Sequence, residues 1–221
     1  MSRKGKCIAI FAILALLLAA MINPAWAGRG NGGDGNGDSD RGDRASVPLT
    51  TDEIAGLQFM REEEKLARDT YLELYDEWDL TVFENIAASE QQHTDTIEQL
   101  LDKYDIEDPV DDEDERGDFD NQDLQALFDD LLKLGLESAT HGLVVGAMIE
   151  ETDIVDIQHE IDLTDHQDIV TAYGNLMCGS RNHLRAFARN LEAVAYVYEP
   201  IELGELFWEI AHSPMEYCGE Q

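Results

Sequence analysis

Of the 221 residues, 48 are Asp or Glu and only 15 are Lys or Arg, giving a formal net charge of −33. A chain this acidic lacks the basic footprint that a phosphate backbone requires, which excludes nucleic acid as a partner. The length suits one ordinary domain plus a leader, and the acid either keeps a charged surface soluble or draws cations to it.

Met1 to Ala27 reads as a secretory signal peptide. Arg3, Lys4 and Lys6 form a basic start, Cys7 to Ile22 an almost unbroken apolar run, and Ala25-Trp26-Ala27 a small-x-small cleavage pattern. The run is short for a membrane span of about 20 residues, and no later stretch is apolar enough to cross a bilayer; an uncleaved N-terminal anchor is the alternative. The mature chain is therefore expected to be exported and soluble, whether periplasmic, secreted or at the cell surface. The leader removes three basic residues and no acidic one. Cys7 leaves with it. Cys178 and Cys218 remain where a disulfide can persist, either bridged so as to tether the C-terminal tail, or as one buried thiol and one loose one.

Residues 28–48, rich in Gly, Asp, Asn and Arg, cannot bury a core and read as a flexible linker. Asp34, Asn36, Asp38 and Asp40 alternate there as in a calcium loop, but the twelfth position is Ala45 rather than Glu. Arg41-Gly42-Asp43 is explained by composition.

Helical periodicity begins at Thr50. Thr50-Thr51-Asp52-Glu53 reads as a capping box, followed by Leu57, Met60, Glu64, Ala67, Tyr71, Leu74 and Trp78 on one face. Thr81-Val82-Phe83-Glu84 predicts a second box, opening a helix with Phe83, Ile86, Glu90, His93, Ile97, Leu100 and Tyr104 inward. After an acidic loop, Leu124 to Leu132 form a short amphipathic helix stopped near Gly135. A third long helix starts near Ser138, with Leu143, Gly146, Ala147, Glu150, Asp153, Ile154 and Ile157 inward and Glu151 outward. Thr164-Asp165-His166-Gln167 predicts a third box, before a last long helix carrying Ile169, Tyr173, Leu176, Ser180, His183, Phe187 and Leu191. Leu203, Leu206, Phe207, Trp208 and Ile210 are expected to pack over one end. The fold expected is all-α: a four-helix bundle spanning 49–214 with one long crossover between helices two and three. A short helix lies in the crossover and a C-terminal tail (215–221) follows. This is the connectivity of ferritin-like folds.

What interrupts the apolar faces carries the chemistry. Glu64, Glu90, His93, Glu150, Asp153 and His183 fall near the midpoints of their helices, and antiparallel packing brings midpoints to one level. Several carboxylates buried together are prohibitively costly unless cations neutralise them. Two metal ions do so, and oxygen plus imidazole ligands suit iron, with manganese the alternative. Glu90-Gln91-Gln92-His93 places a carboxylate and an imidazole one turn apart. In Glu62-Glu63-Glu64, the spacing to Met60, Ala67 and Tyr71 selects Glu64 as the inward member of a run otherwise read as solvated. Arg181, Arg185 and Arg189 step by four as ion-pairing partners of the acids. His141, His159, His166 and His212 lack partners and read as surface residues.

The segments Met60 to Asp69, Asn85 to His93 and Gly179 to Phe187 resemble an uncharacterised ferritin-like family of bacteria and archaea, over roughly Leu49 to Pro214. More distantly the chain is similar to rubrerythrin and other di-iron carboxylate proteins. Glu64, Ala67 and Tyr71 match their first helix, Glu90 and His93 their second, Glu150 and Asp153 their third. His183 matches the fourth, but Ser180 stands where those proteins carry a Glu, with Asp153 available to keep four carboxylates and two histidines. The resemblance implies oxidation of Fe(II) by dioxygen or peroxide. With no Cys-x-x-Cys iron site, any electron donor would be a separate protein. A non-catalytic metal buffer and a metal-free interaction module are the competing readings.

Overall fold

The structure, a computed structural model, describes residues 48–110 and 115–219. The expected leader, nearly all of the linker and the Asp34–Asp40 stretch lie outside the described residues. Six helices and no strands make up the described residues: α1 (Thr51–Trp78), α2 (Thr81–Tyr104), α3 (Gln122–Gly135), α4 (Ala139–Leu163), α5 (Gln167–Ala193) and α6 (Glu205–Ala211). None is long and apolar enough to cross a membrane.

The four long helices close a ring: α1 packs on α2, α2 on α5, α5 on α4, and α4 on α1. Their directions follow from side-chain pairs. Arg61 reaches Thr94 while Arg68 reaches Gln91, so α1 and α2 are antiparallel. Thr164 meets Glu53 and Tyr71 meets Glu150, which makes α1 and α4 antiparallel as well. Tyr104 with Asp168, and Ser89 with His183, set α2 against α5 in the same sense. It follows that α2 and α4 point the same way. The chain must then travel the length of the bundle between them, and residues 105–138, including α3, make that journey.

Burial follows the sequence periodicity. Every residue expected inward on the four long helices is buried, except Trp78 and Tyr104, half-buried at helix ends. Their apolar side chains supply the driving force, at roughly 25 cal/mol per Å² removed from water.

Helix starts depart from expectation at two places. The N-cap of α2 is Leu80, with no side-chain cap, so Thr81 is already helical. A left-handed Asp79 (φ 51°) turns the chain in two residues and leaves no room for a preceding cap. Likewise α5 begins at Gln167 after His166, because Thr164 is occupied: it donates to Glu53 and accepts from the His166 N–H. Ser138 does cap α4, accepting from His141 N–H, and Asn121 caps α3.

The crossover is held by buried cations of α1. The Lys65 ammonium pairs with Asp69 at 2.7 Å and donates to the carbonyls of Glu115 and Asp118. Arg61 pairs with Asp108. Beyond α5 the tail packs along the flank of α5 through α6, not over an end as the sequence suggested. A disulfide joins Cys178 to Cys218, and Glu216 pairs with both Arg181 and Arg185. These long-range ties fix the tail sideways.

Candidate metal centre

Each of the four long helices sends an ionisable side chain to one level of the bundle centre. Glu64 (α1), Glu90 (α2) and Glu150 (α4) are each 1% exposed, His183 (α5) 7% and His93 (α2) 8%. Two groups form, Glu64–Glu90–His93 and Glu90–Glu150–His183, each with ligand atoms within 4.8 Å of one another. Glu90 belongs to both.

The distances show how Glu90 divides itself. Its Oε2 lies 2.7 Å from His93 Nδ1 and its Oε1 lies 2.7 Å from His183 Nδ1. Glu64 Oε2 stands 3.2 Å from His93 Nδ1, and Glu150 Oε2 stands 3.4 Å from His183 Nδ1. The two imidazole planes are inclined by 29°, with centroids 5.5 Å apart.

Close approach is not the same as hydrogen bonding here. Glu90 Oε2, Glu64 Oε1, Glu150 Oε2 and His183 Nδ1 all lack a hydrogen-bond partner despite complete burial. Orphaned buried acceptors are rare and costly. Oxygen and nitrogen lone pairs that converge without lying on an N–H axis are what ligands of a common cation present. The donor set, carboxylate oxygens plus imidazole nitrogens, fits iron or manganese.

Surrounding groups orient these ligands. Ser89 Oγ lies 2.9 Å from His183 Nε2; with the Nε2 proton donated to that hydroxyl, a deprotonated Nδ1 would be free to bind metal. The Tyr71 hydroxyl donates to Glu150 Oε1 at 2.5 Å. Tyr71, Phe83 and Phe187, with ring centroids 5.3–6.4 Å apart, form a dry wall on that side. Gly179 lets His93 sit directly against α5: a Cβ there would strike the imidazole.

The protein groups perturb one another strongly. Burial lifts the Glu64 carboxyl to about 7, with His93 opposing and Glu90 adding to the rise. Burial also lifts Glu150, to about 6 against the pull of His183. For Glu90 burial is outweighed by His183 and His93, which hold it well below the usual carboxylate range. Burial alone would lower His183, yet Glu90 and Glu150 raise it to about 10.

Five of the six residues expected in the site thus come together. Asp153 is buried beside them but stands in neither group; its carboxylate accepts from the Ser180 hydroxyl. The acidic run of α1 is not solvated: Glu62, Glu63 and Glu64 are all buried. Glu62 accepts from the Asn121 N–H of the crossover, and Glu63 turns to α4. Glu151, expected outward, is fully buried under the tail, where Tyr198 O–H and three backbone N–H groups donate to it. Arg185 is buried too, but it faces Ser213 and Glu216 of the tail rather than the centre.

Fold and centre together define an all-helical protein with a buried carboxylate–imidazole cluster able to hold metal. The chain belongs to the family of uncharacterized protein domains DUF2202, matched over residues 53–214. It is 47% identical over 170 residues to uncharacterized protein MJ0754 of Methanocaldococcus jannaschii, covering 76% of this chain and 91% of that one. The crystal structure of hypothetical protein MJ0754 superposes with a TM-score of 0.75 at 45% identity, covering 79% of this chain and all of the other.

Proposed function

We propose that this chain is an exported ferritin-like bundle holding two metal ions, iron or manganese, and that the pair oxidises Fe(II) with dioxygen or peroxide. The observation that carries the reading is Glu90, a fully buried carboxylate whose two oxygens face two imidazoles, flanked by orphaned oxygens of Glu64 and Glu150. Glu64, His93 and Glu90 would hold one ion, and Glu150, His183 and Glu90 the other. When bound, two adjacent metals supply two electrons and clamp oxygen atoms.

The chain's own residues prepare that chemistry. Tyr71 fixes the angle of Glu150, Ser89 fixes the tautomer of His183, and the aromatic wall keeps water from one side. Up-down-down-up helix order with a single crossover supports the ferritin-like assignment. Export is supported by the leader-like N-terminus and by a disulfide, which persists in oxidising compartments.

Elemental analysis of protein made without a metal-binding tag tests binding, with two ions per centre expected. Rapid mixing of the Fe(II)-loaded protein with oxygen or peroxide should then give a fast absorbance change with repeated turnover. Bound metal without turnover would leave a buffering bundle. Metal-free protein that refuses metal would end the reading.

A further inference from the structure

The bundle centre is closed unevenly. Along its axis, fully buried Tyr71, Phe83 and Phe187 shut one side, and fully buried Met60, Ile97 and Leu176 shut the other. Three of the four lateral seams are bridged near the same level. Arg61 and Arg68 of α1 donate to Thr94 and Gln91 of α2, and Tyr71 of α1 donates to Glu150 of α4. Ser180 of α5 donates to Asp153 of α4, and the tail lies outside that seam, holding Glu151 of α4 and Arg181 of α5.

The seam between α2 and α5 differs. What stands across it is the ligand candidates themselves: Ser89 faces His183, and one turn further His93 faces Gly179. Each histidine is thus opposite a small residue. The side chains of His93 and His183 are 10% and 9% exposed, against 1–2% for Glu64, Glu90 and Glu150. Both Nδ1 atoms are turned to the carboxylates, so the surface that each ring shows is its far edge. For His183 that edge ends on Ser89, which is half-buried.

We infer that the centre is loaded through the α2–α5 seam, with the His93 and His183 rings serving as both ligands and gate and Ser89 as the rim residue that sets the width. This rests on the di-metal reading and adds its route of entry. A ring swung about its Cα–Cβ bond opens a way from solvent to Glu90 without separating the helices, whereas every other direction requires moving packed apolar side chains or breaking a bridge between helices. What passes is small: a divalent ion, or a molecule the size of dioxygen or peroxide.

The test is the rate at which full-length, metal-free protein takes up manganese(II), read as loss of the free ion's spin-resonance signal, and the rate at which loaded protein gives it up to excess chelator. Ser89→Ala, Ser89→Val and Ser89→Leu all lack the hydroxyl that meets His183 and differ in bulk alone; circular dichroism checks their helix content. Ser89→Leu should load and release roughly tenfold or more slowly than Ser89→Ala, because a ring must move past the added bulk, with Ser89→Val between them. Affinity should be equal in Ser89→Ala and Ser89→Leu, since a narrowed entry slows both directions by one factor. If Ser89→Leu does not fold, Ser89→Val against Ser89→Ala decides. Equal rates across the series, or faster release with unchanged loading, would overturn the entry route and leave the metal pair standing. No uptake by wild type would overturn the pair and the route alike.

Discussion

Replacing Glu151 by Ala should loosen the C-terminal segment without touching the metal centre, although Glu150, its neighbour, is a ligand candidate. The Glu151 carboxylate accepts from Tyr198 O–H at 2.7 Å, Leu203 N–H at 2.9 Å, and Ile201 and Glu202 N–H at 3.1 Å. Hydrogen bonds to a charged group contribute about 1.5–3 kcal/mol each, so four set an upper bound of about 6–12 kcal/mol. The variant need not suffer that much, because the segment can lift into water and rehydrate its N–H groups. The loss is then the free energy of docking, about 3–5 kcal/mol, the upper range for a single substitution that breaks a buried hydrogen-bond network. At about 2–4 °C per kcal/mol for a domain of this size, Tm should fall by roughly 10 °C. Calorimetry reads the fall, and limited proteolysis should cut between α5 and α6 while elemental analysis finds unchanged metal. Glu150→Ala should do the reverse, losing metal and keeping the segment protected. A Tm within about 2 °C of wild type, or loss of metal from Glu151→Ala, would refute the division of labour between these adjacent acids.

Metal-free protein should lose stability as pH rises. Glu64 (about 7), Glu150 (about 6) and His183 (about 10) all hold protons more tightly folded than unfolded. Their stabilisation is complete below their unfolded values and is lost as pH climbs through the folded ones. Glu90, held low, acts oppositely but only in acid. Tm after chelation should be lower at pH 9 than at pH 6, with manganese restoring it; a Tm that rises with pH would contradict the cluster's burial. Gly179→Ala should push His93 off α5 and weaken the Glu64–Glu90–His93 group at least tenfold, leaving the other group near wild-type affinity in a manganese titration. Cys218→Ser should destabilise by up to about 4 kcal/mol, the chain-entropy value for a separation of 40 residues, and calorimetry of the reduced wild type should match it.

The four inward faces were legible because each long helix buries one stripe, and a period of 3.6 identifies that stripe whatever covers it. Glu90 and His93 were legible for the same reason. Glu62 and Glu151 were not, since periodicity names one buried face and these helices have more than one. α1 is covered on its flank by the crossover and α4 by the tail, and both covers come from distant sequence. Nothing local in Tyr198 or Ile201–Leu203 announces that they will donate to residue 151. The misplaced helix starts have a simpler cause. A Thr-x-x-Glu pattern looks alike one residue before a helix and inside its first turn, and at Thr81 the two-residue turn decided the matter. For Cys178 and Cys218 the spacing allowed pairing or not, and the sideways path of the tail brings them together.

A crystal of the manganese-loaded protein, read by anomalous scattering at the metal edge, tests the central claim most directly. Two strong peaks should flank the Glu90 carboxylate, about 3.5–4 Å apart as in two-metal sites, one toward His93 and one toward His183. Scattering only at exposed acids, with the space between Glu64, Glu90 and Glu150 free of metal, would contradict it.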